Sequence, residues 1–291
     1  MASPGIPGRP EPVGTHPAWR STVTGRVDVT ALVHAGRRVT VRVHVPPGYE
    51  QSSRDHGLLI MFDGQNLFDR ASSSHGMEWE VDETVERLTS QARLDSMLVV
   101  GVDSPDTAQE RYAHYTAWDW ELDDVPVVAR GEQTADLLVG PVLDHVRDHY
   151  RVTRDRSRVG LAGSSLGGYM TLFVGTRHSD LFGRLLAFSP VLLTEPMRGD
   201  ALREYIDRRG FEDGTRVYLD MGGNEELSYV DDPARLVADL AETTRAVTHA
   251  VRPPQEVVSR VIPGAGHDER AWAARFEPAL LWAFADGPAP R

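Results

Sequence analysis

The chain has 291 residues, 41% of them hydrophobic, enough to bury one large core, and α/β folds routinely reach this size as a single domain. A formal charge of −12 argues against nucleic acid or an anionic membrane surface as a partner. There is no cysteine and no lysine, all 31 basic residues being arginine, which excludes disulfides, thiolate metal sites, a Cys nucleophile, Schiff-base chemistry and a Ser-Lys dyad.

Residues 1–20 are rich in Pro and Gly and lack the apolar stretch of a signal peptide, so they read as a disordered tail ahead of a single domain over 21–291. No run of 18 apolar residues follows, so no membrane span is expected and the expected location is cytoplasmic. A weak strand lies within 23–33. Val39, Val41, Val43 and Val45 then alternate with Thr40, Arg42 and His44, the period of a half-buried strand, and Pro46-Pro47-Gly48 ends it. The two strands are expected to form an antiparallel pair.

Apolar runs at 58–62, 97–100, 159–162, 185–188, 217–219 and 257–262 have the length and flanks of parallel strands covered on both faces. Helical patterns lie between them. One covers 80–88. Another spaces Leu138, Val142, Val146 and Tyr150 four apart, with Pro141 expected to kink or restart it. Asp232-Pro233 starts a helix whose apolar face is Leu236, Val237, Leu240 and Ala241, and Trp272, Phe276, Leu280 and Phe284 stripe the last one. The stretch 103–129, with Trp118 and Trp120, has no clear period and reads as a long loop. This alternation predicts an α/β fold of the α/β-hydrolase type, a mostly parallel central sheet flanked by helices in an αβα sandwich. Loops over the C-terminal edge of such a sheet build the active site.

The motif with the most chemistry is Gly163-Ser164-Ser165-Leu166-Gly167-Gly168, directly after the run at 159–162. Gly-x-Ser-x-Gly between a buried strand and a helix is a nucleophile elbow, with Ser165 strained at its apex. A β-carbon at position 163 or 167 would strike the adjoining strand or helix. In such a fold the partners follow in the order acid, then His. Of 11 histidines, His267 lies between a late strand and the terminal helix, in Pro263-Gly264-Ala265-Gly266-His267-Asp268. Three carboxylates compete for the acid after the strand at 217–219. Glu225 follows the Gly222-Gly223-Asn224 turn and is preferred, Asp220 lies within the strand, and Glu226 is the third. An oxyanion hole needs two preorganised N–H groups. Leu166, after the nucleophile, supplies one, and Gln65 in Asp63-Gly64-Gln65-Asn66 the other.

With these pieces in order, the chain resembles the esterase D group of α/β-hydrolases, in particular its enterochelin (ferric-enterobactin) esterase-like branch. The matching segments are Val45-Pro46-Pro47-Gly48-Tyr49, Phe62-Asp63-Gly64-Gln65-Asn66-Leu67-Phe68, Trp79, Val100-Gly101-Val102-Asp103, the elbow, Gly222-Gly223-Asn224-Glu225 and Gly264-Ala265-Gly266-His267-Asp268. The resemblance implies Ser165 as nucleophile, His267 as base, Glu225 as acid, Gln65 and Leu166 as oxyanion donors, and no metal or organic cofactor. It departs from siderophore esterases at His114, which stands where they carry an acidic residue in Arg111-Tyr112-Ala113-His114-Tyr115-Thr116. Trp79 and Tyr115 are expected to line an ester pocket, and Arg111 to clamp an anionic substrate group.

The expected function is hydrolysis of a small-molecule carboxylic ester, siderophore-like or another natural-product ester or lactone, through an acyl-enzyme. Its rivals are acyl transfer or cyclisation by the same intermediate, a feruloyl- or acetyl-type esterase, and a catalytically silent binding protein of the same fold.

Overall fold

The computed structural model describes residues 20–285 except 123, 228, 229, 231 and 233. The tail expected over 1–20 therefore lies outside the described residues but for Arg20, as do Pro233 of the expected helix start and residues 286–291.

The chain opens with the expected antiparallel pair, β1 (Arg26–His34) and β2 (Arg37–Val45), in the register Arg26 to Val45. Ala35 and Gly36 close the hairpin with φ of 49° and 78°, the backbone a two-residue turn needs to match the twist of its strands. There follow β3 (Gly57–Phe62), α1 (Val81–Ser90), β4 (Met97–Val102), α2 (Ala108–His114), the small hairpin β5 (Trp120–Leu122) and β6 (Val125–Val127), α3 (Gly131–Leu137) and α4 (Leu143–His149). The second half is β7 (Val159–Ser164), α5 (Leu166–Arg177), β8 (Arg184–Phe188), α6 (Gly199–Arg209), β9 (Arg216–Gly222), α7 (Ala234–Ala250), β10 (Val257–Ile262) and α8 (Glu269–Phe284).

Among the described residues, eight strands form the main sheet in the order β1-β2-β4-β3-β7-β8-β9-β10. β2 runs antiparallel to both of its neighbours, and the pairs from β4 to β10 are parallel. The side-chain alternation of β3 shows the layering. Leu58, Ile60 and Phe62 join a core with residues of α3 to α7, while Leu59 and Met61 face a second core with α1 and α8. The architecture is the expected αβα sandwich, and α5 is buried from Leu166 to Thr176 because it lies between the sheet and other helices.

Two local expectations are corrected and one is met. The stretch 103–129 holds α2 and the β5–β6 hairpin. A seven-residue helix capped by the Thr107 side chain and two three-residue strands are too short to show a period. Pro141 does restart its helix: α3 ends at Leu137, a π turn at Leu138–Val142 absorbs the N–H that proline lacks, and α4 begins at Leu143. β10 is not covered on both faces. It is the edge strand beside β9, and Ser259, Arg260 and Val261 are exposed. Among the described residues no helix is long and apolar enough to cross a membrane.

Because β3, β7, β8, β9 and β10 run parallel, the segments that follow them emerge at one edge of the sheet. Asp63, Ser165, Ser189, Glu225 and His267 all come from that edge.

Candidate active site

Ser165 sits between β7 and α5 with φ 56° and ψ −124°, a conformation that costs a non-glycine residue about 1–3 kcal/mol and persists only when the surroundings impose it. They do. Its N–H donates to the Phe188 carbonyl at 3.0 Å, and its carbonyl accepts from the N–H groups of Tyr169 and Val191, each at 3.1 Å. The flanking glycines are required by space: a β-carbon on Gly163 would lie 2.6 Å from the Gly167 carbonyl, and one on Gly167 would lie 3.0 Å from Phe62 Cβ. Ser164 is buried, whereas Ser165 is partly open to solvent.

Across from this elbow, Asp63 takes a left-handed conformation (φ 56°) and leads into a tight turn at Gly64–Asn66. Asp63, Gln65 and Asn66 are each pinned by other elements. The Asp63 N–H donates to Tyr115 Oη at 3.3 Å, and its carboxylate accepts from Arg111 Nε and Nη2, both at 2.8 Å. Gln65 Oε1 accepts from the Ser104 N–H at 3.0 Å while its Nε2 donates to Ser104 Oγ at 3.0 Å. Asn66 Nδ2 donates to Glu269 Oε1 at 3.1 Å, tying this loop to the start of α8. Leu166 opens α5, whose first N–H groups have no intrahelical acceptor and carry the positive end of the helix dipole.

On the other side, the turn after β9 docks on the loop after β10. Gly223 and Asn224 donate their N–H groups to the carbonyls of Ile262 (2.8 Å) and Ala265 (3.0 Å). A β-carbon on Gly222 would lie 2.3 Å from the Ala265 carbonyl oxygen, which is why glycine stands there. This docking brings Glu225 Oε2 to 2.8 Å from His267 Nδ1, with the two side chains 1% and 11% exposed. Glu225 Oε1 accepts from the Gly222 N–H at 2.6 Å and from the Ser189 hydroxyl. The His267 and Trp272 rings meet edge to face, their centroids 5.1 Å apart.

Of the three carboxylates the sequence leaves in competition, Glu225 is the one beside His267. Asp220 is fully buried within β9 and engaged elsewhere: Oδ1 accepts from the Ser189 N–H (3.1 Å), Oδ2 from Tyr218 Oη (2.9 Å), and Arg275 Nη1 lies 3.3 Å from Oδ1. Burial pushes the Asp220 carboxyl up to about 6, against the pull of the Arg275 charge and these donors. Glu226 is exposed.

Of the three residues expected to meet substrate, Trp79 and Tyr115 are buried, and Arg111, partly exposed, is bound to Asp63. Trp79, 3% exposed, packs in the core on Phe188, Trp272 and Phe276, so it lies under the site. Tyr115 is buried edge-on against Phe62, with its hydroxyl on Asp63. Arg111 forks onto Asp63 and stands 5.0 Å over the Tyr115 ring. His114 turns away toward α3, its Nδ1 3.3 Å from Thr134 Oγ1, and burial lowers it to about 4.

Ser189, Arg275 and the Asn66–Glu269 link escape a reading of the sequence. Ser189 had a usable signal, since it follows a buried parallel strand at the site edge. Arg275 had a fainter one, a charge on the apolar stripe of α8. Among the described residues no group of three or more His, Asp or Glu side chains is arranged to hold a metal ion.

A family model described as "Putative esterase" matches residues 33–283, and the chain belongs to this esterase family. The iron(III) salmochelin esterase of Escherichia coli O6:H1 is 25% identical over 178 residues, which are 60% of this chain but only 37% of that protein. Among solved structures, the enterobactin esterase FES of Shigella flexneri superposes with a TM-score of 0.67 at 16% identity, covering 90% of this chain and 60% of that one. A CE1 ferulic acid esterase of Anaeromyces mucronatus gives 0.65 at 17% identity, covering 94% of each. These structural likenesses establish the α/β-hydrolase type of fold.

Proposed function

We propose that this member of the esterase family cleaves a small-molecule carboxylic ester through an acyl-enzyme on Ser165. The observation that carries the reading is the 2.8 Å contact between Glu225 Oε2 and His267 Nδ1 at the same sheet edge as the strained Ser165 elbow. As a carboxylate, Glu225 accepts at that contact, so Nδ1 carries the hydrogen and Nε2 keeps its lone pair for the Ser165 hydroxyl proton. Ser165 Oγ bonds to the ester carbonyl carbon while its proton passes to Nε2. The charge that develops on the carbonyl oxygen is met by the N–H groups of Leu166 and Gln65. Collapse breaks the ester C–O bond, and Nε2 returns the proton to the departing alcohol. Water, deprotonated by the same imidazole, then releases the acid.

For the substrate we favour a siderophore-like or other natural-product ester or lactone, a reading supported by the salmochelin and enterobactin esterases among the similar proteins. The ferulic acid esterase of like fold supports an aryl ester as the second reading. A fluorophosphonate probe followed by turnover of p-nitrophenyl esters, a feruloyl ester and a catecholate trilactone tests both. We expect labelling at Ser165, none in Ser165→Ala, and faster turnover of the trilactone. A chain that neither labels nor hydrolyses any ester is a silent binding protein. Transfer of the acyl group to an added alcohol in preference to water makes it an acyltransferase.

A further inference from the structure

We propose that Ser189 is a positioning residue that aims the Glu225 carboxylate at His267, and that Arg275, anchored by Asp220, acts on the site through Ser189. The inference rests on the Ser165-Glu225-His267 reading above and adds to it a second tier of residues drawn from β8, β9 and α8.

The Ser189 hydroxyl is a junction. Its oxygen accepts from Trp272 Nε1 at 3.0 Å and from Arg275 Nη2 at 2.9 Å, which leaves its one proton for Glu225 Oε1. Two incoming donors thus fix the direction of the outgoing one. Together with the Gly222 N–H, this occupies Oε1 and leaves Oε2 to His267.

The backbone supports the same reading. Ser189 has φ 41°, a left-handed conformation that glycine adopts without strain, yet a side chain with a hydroxyl stands there. Its N–H donates to the main-chain carbonyl and the Oδ1 of Asp220, so the strained turn is held by the residue that also pairs with Arg275.

Charge gives the second argument. Asp220, Glu225 and Arg275 are all 5% exposed or less, two negative charges and one positive. Arg275 offsets Asp220, and Glu225 is left to face His267. Without Arg275, the two carboxylates would repel each other in a site of low dielectric.

The test is a double-mutant cycle on ester turnover with Ser189→Gly and Glu225→Gln. Glycine suits the backbone at 189 and removes the hydroxyl together with its β-carbon, and Ser189→Ala, which removes the hydroxyl alone, serves as a second variant should Gly loosen the turn. Ser189→Gly should lower kcat about 10- to 100-fold with KM unchanged, the worth of one hydrogen bond to a charged group. In the Glu225→Gln background it should cost little more, because its effect runs through that carboxylate. Full additivity, an effect on KM alone, or unchanged kcat overturns the proposal, as does failure of both Ser189 variants to fold, which would place the hydroxyl's role in the fold. If Glu225→Gln by itself leaves kcat intact, the underlying acid assignment fails instead, and the cycle tells the two apart.

Discussion

Ser165 and Gln65 are set by main-chain geometry, whereas Glu225 and His267 are set by side chains. On the first side, two left-handed residues, Asp63 and Ser165, and glycines with no room for a β-carbon shape the chain within a few residues of where it acts. On the second, Glu225 reaches His267 only because two loops dock and because Ser189, Trp272 and Arg275 converge from other elements. Backbone geometry tolerates no added atoms, although the turn at Asp63 and Gln65 is also held by Arg111, Tyr115 and Ser104. A side-chain network tolerates volume but fails when any member loses its hydrogen bond. The two sides should therefore break differently.

The largest expected effect is on the first side. Ser165→Ala should lower kcat by about 10⁴-fold or more with little change in thermal stability, and Ser164→Ala, buried one residue earlier, should cost far less. The reverse order in a steady-state assay would remove Ser165 from the apex role.

Next in size is Glu225→Gln, which leaves the loop in place but takes away the charge proposed to stabilise the imidazolium. We expect kcat to fall by about 10²- to 10⁴-fold. The exposed Glu226→Gln should be near neutral. If Asp220→Asn abolishes turnover while Glu225→Gln does not, the acid lies in β9. If neither matters, Ser165 and His267 work as a dyad.

Arg111→Gln separates the two roles open to that residue, and about a 10-fold loss of kcat is expected, the worth of one hydrogen bond to a charged group. A β-carbon on Gly167, at the start of α5, would lie 3.2 Å from Asp63 Oδ2, so an unpaired Asp63 carboxylate would sit against the helix end proposed to face the developing oxyanion. Asp63→Asn in the same chain should recover most of the loss. If it does not, and KM rises for anionic esters alone, Arg111 acts on substrate.

The smallest effect is on stability against pH and belongs to the second side. The folded Asp220 carboxyl sits at about 6, above its ordinary value of about 3.9, so between these values the folded chain holds a proton the unfolded chain has released. Its contribution to stability therefore falls as pH rises from about 4 to about 6 and is level above that. Urea unfolding at half-unit steps should show this slope vanish in Asp220→Asn and persist in Ser165→Ala.

How much was legible in the sequence follows the same division. The elbow, the strand alternation, the parallel runs and the stripe of α8 were readable because each is imposed by sterics or periodicity among neighbours in the chain. The preference for Glu225 rested on a turn of glycines, and Gly222 and Gly223 do lie at the close approach between the two loops. Which carboxylate meets His267 was decided by packing, since its partner is 42 residues away and Arg275 is 86 residues from Ser189. Trp79 and Tyr115 differ from their expected place for a related reason: residue type says what a side chain can bind, but burial decides what it meets. By itself the sequence determined the strand-turn-helix that carries Ser165 and the order of the segments that reach the sheet edge, because these depend on local backbone physics. The tertiary structure alone decided which side chains share a proton at that edge, because such pairing depends on distances no stretch of the chain contains.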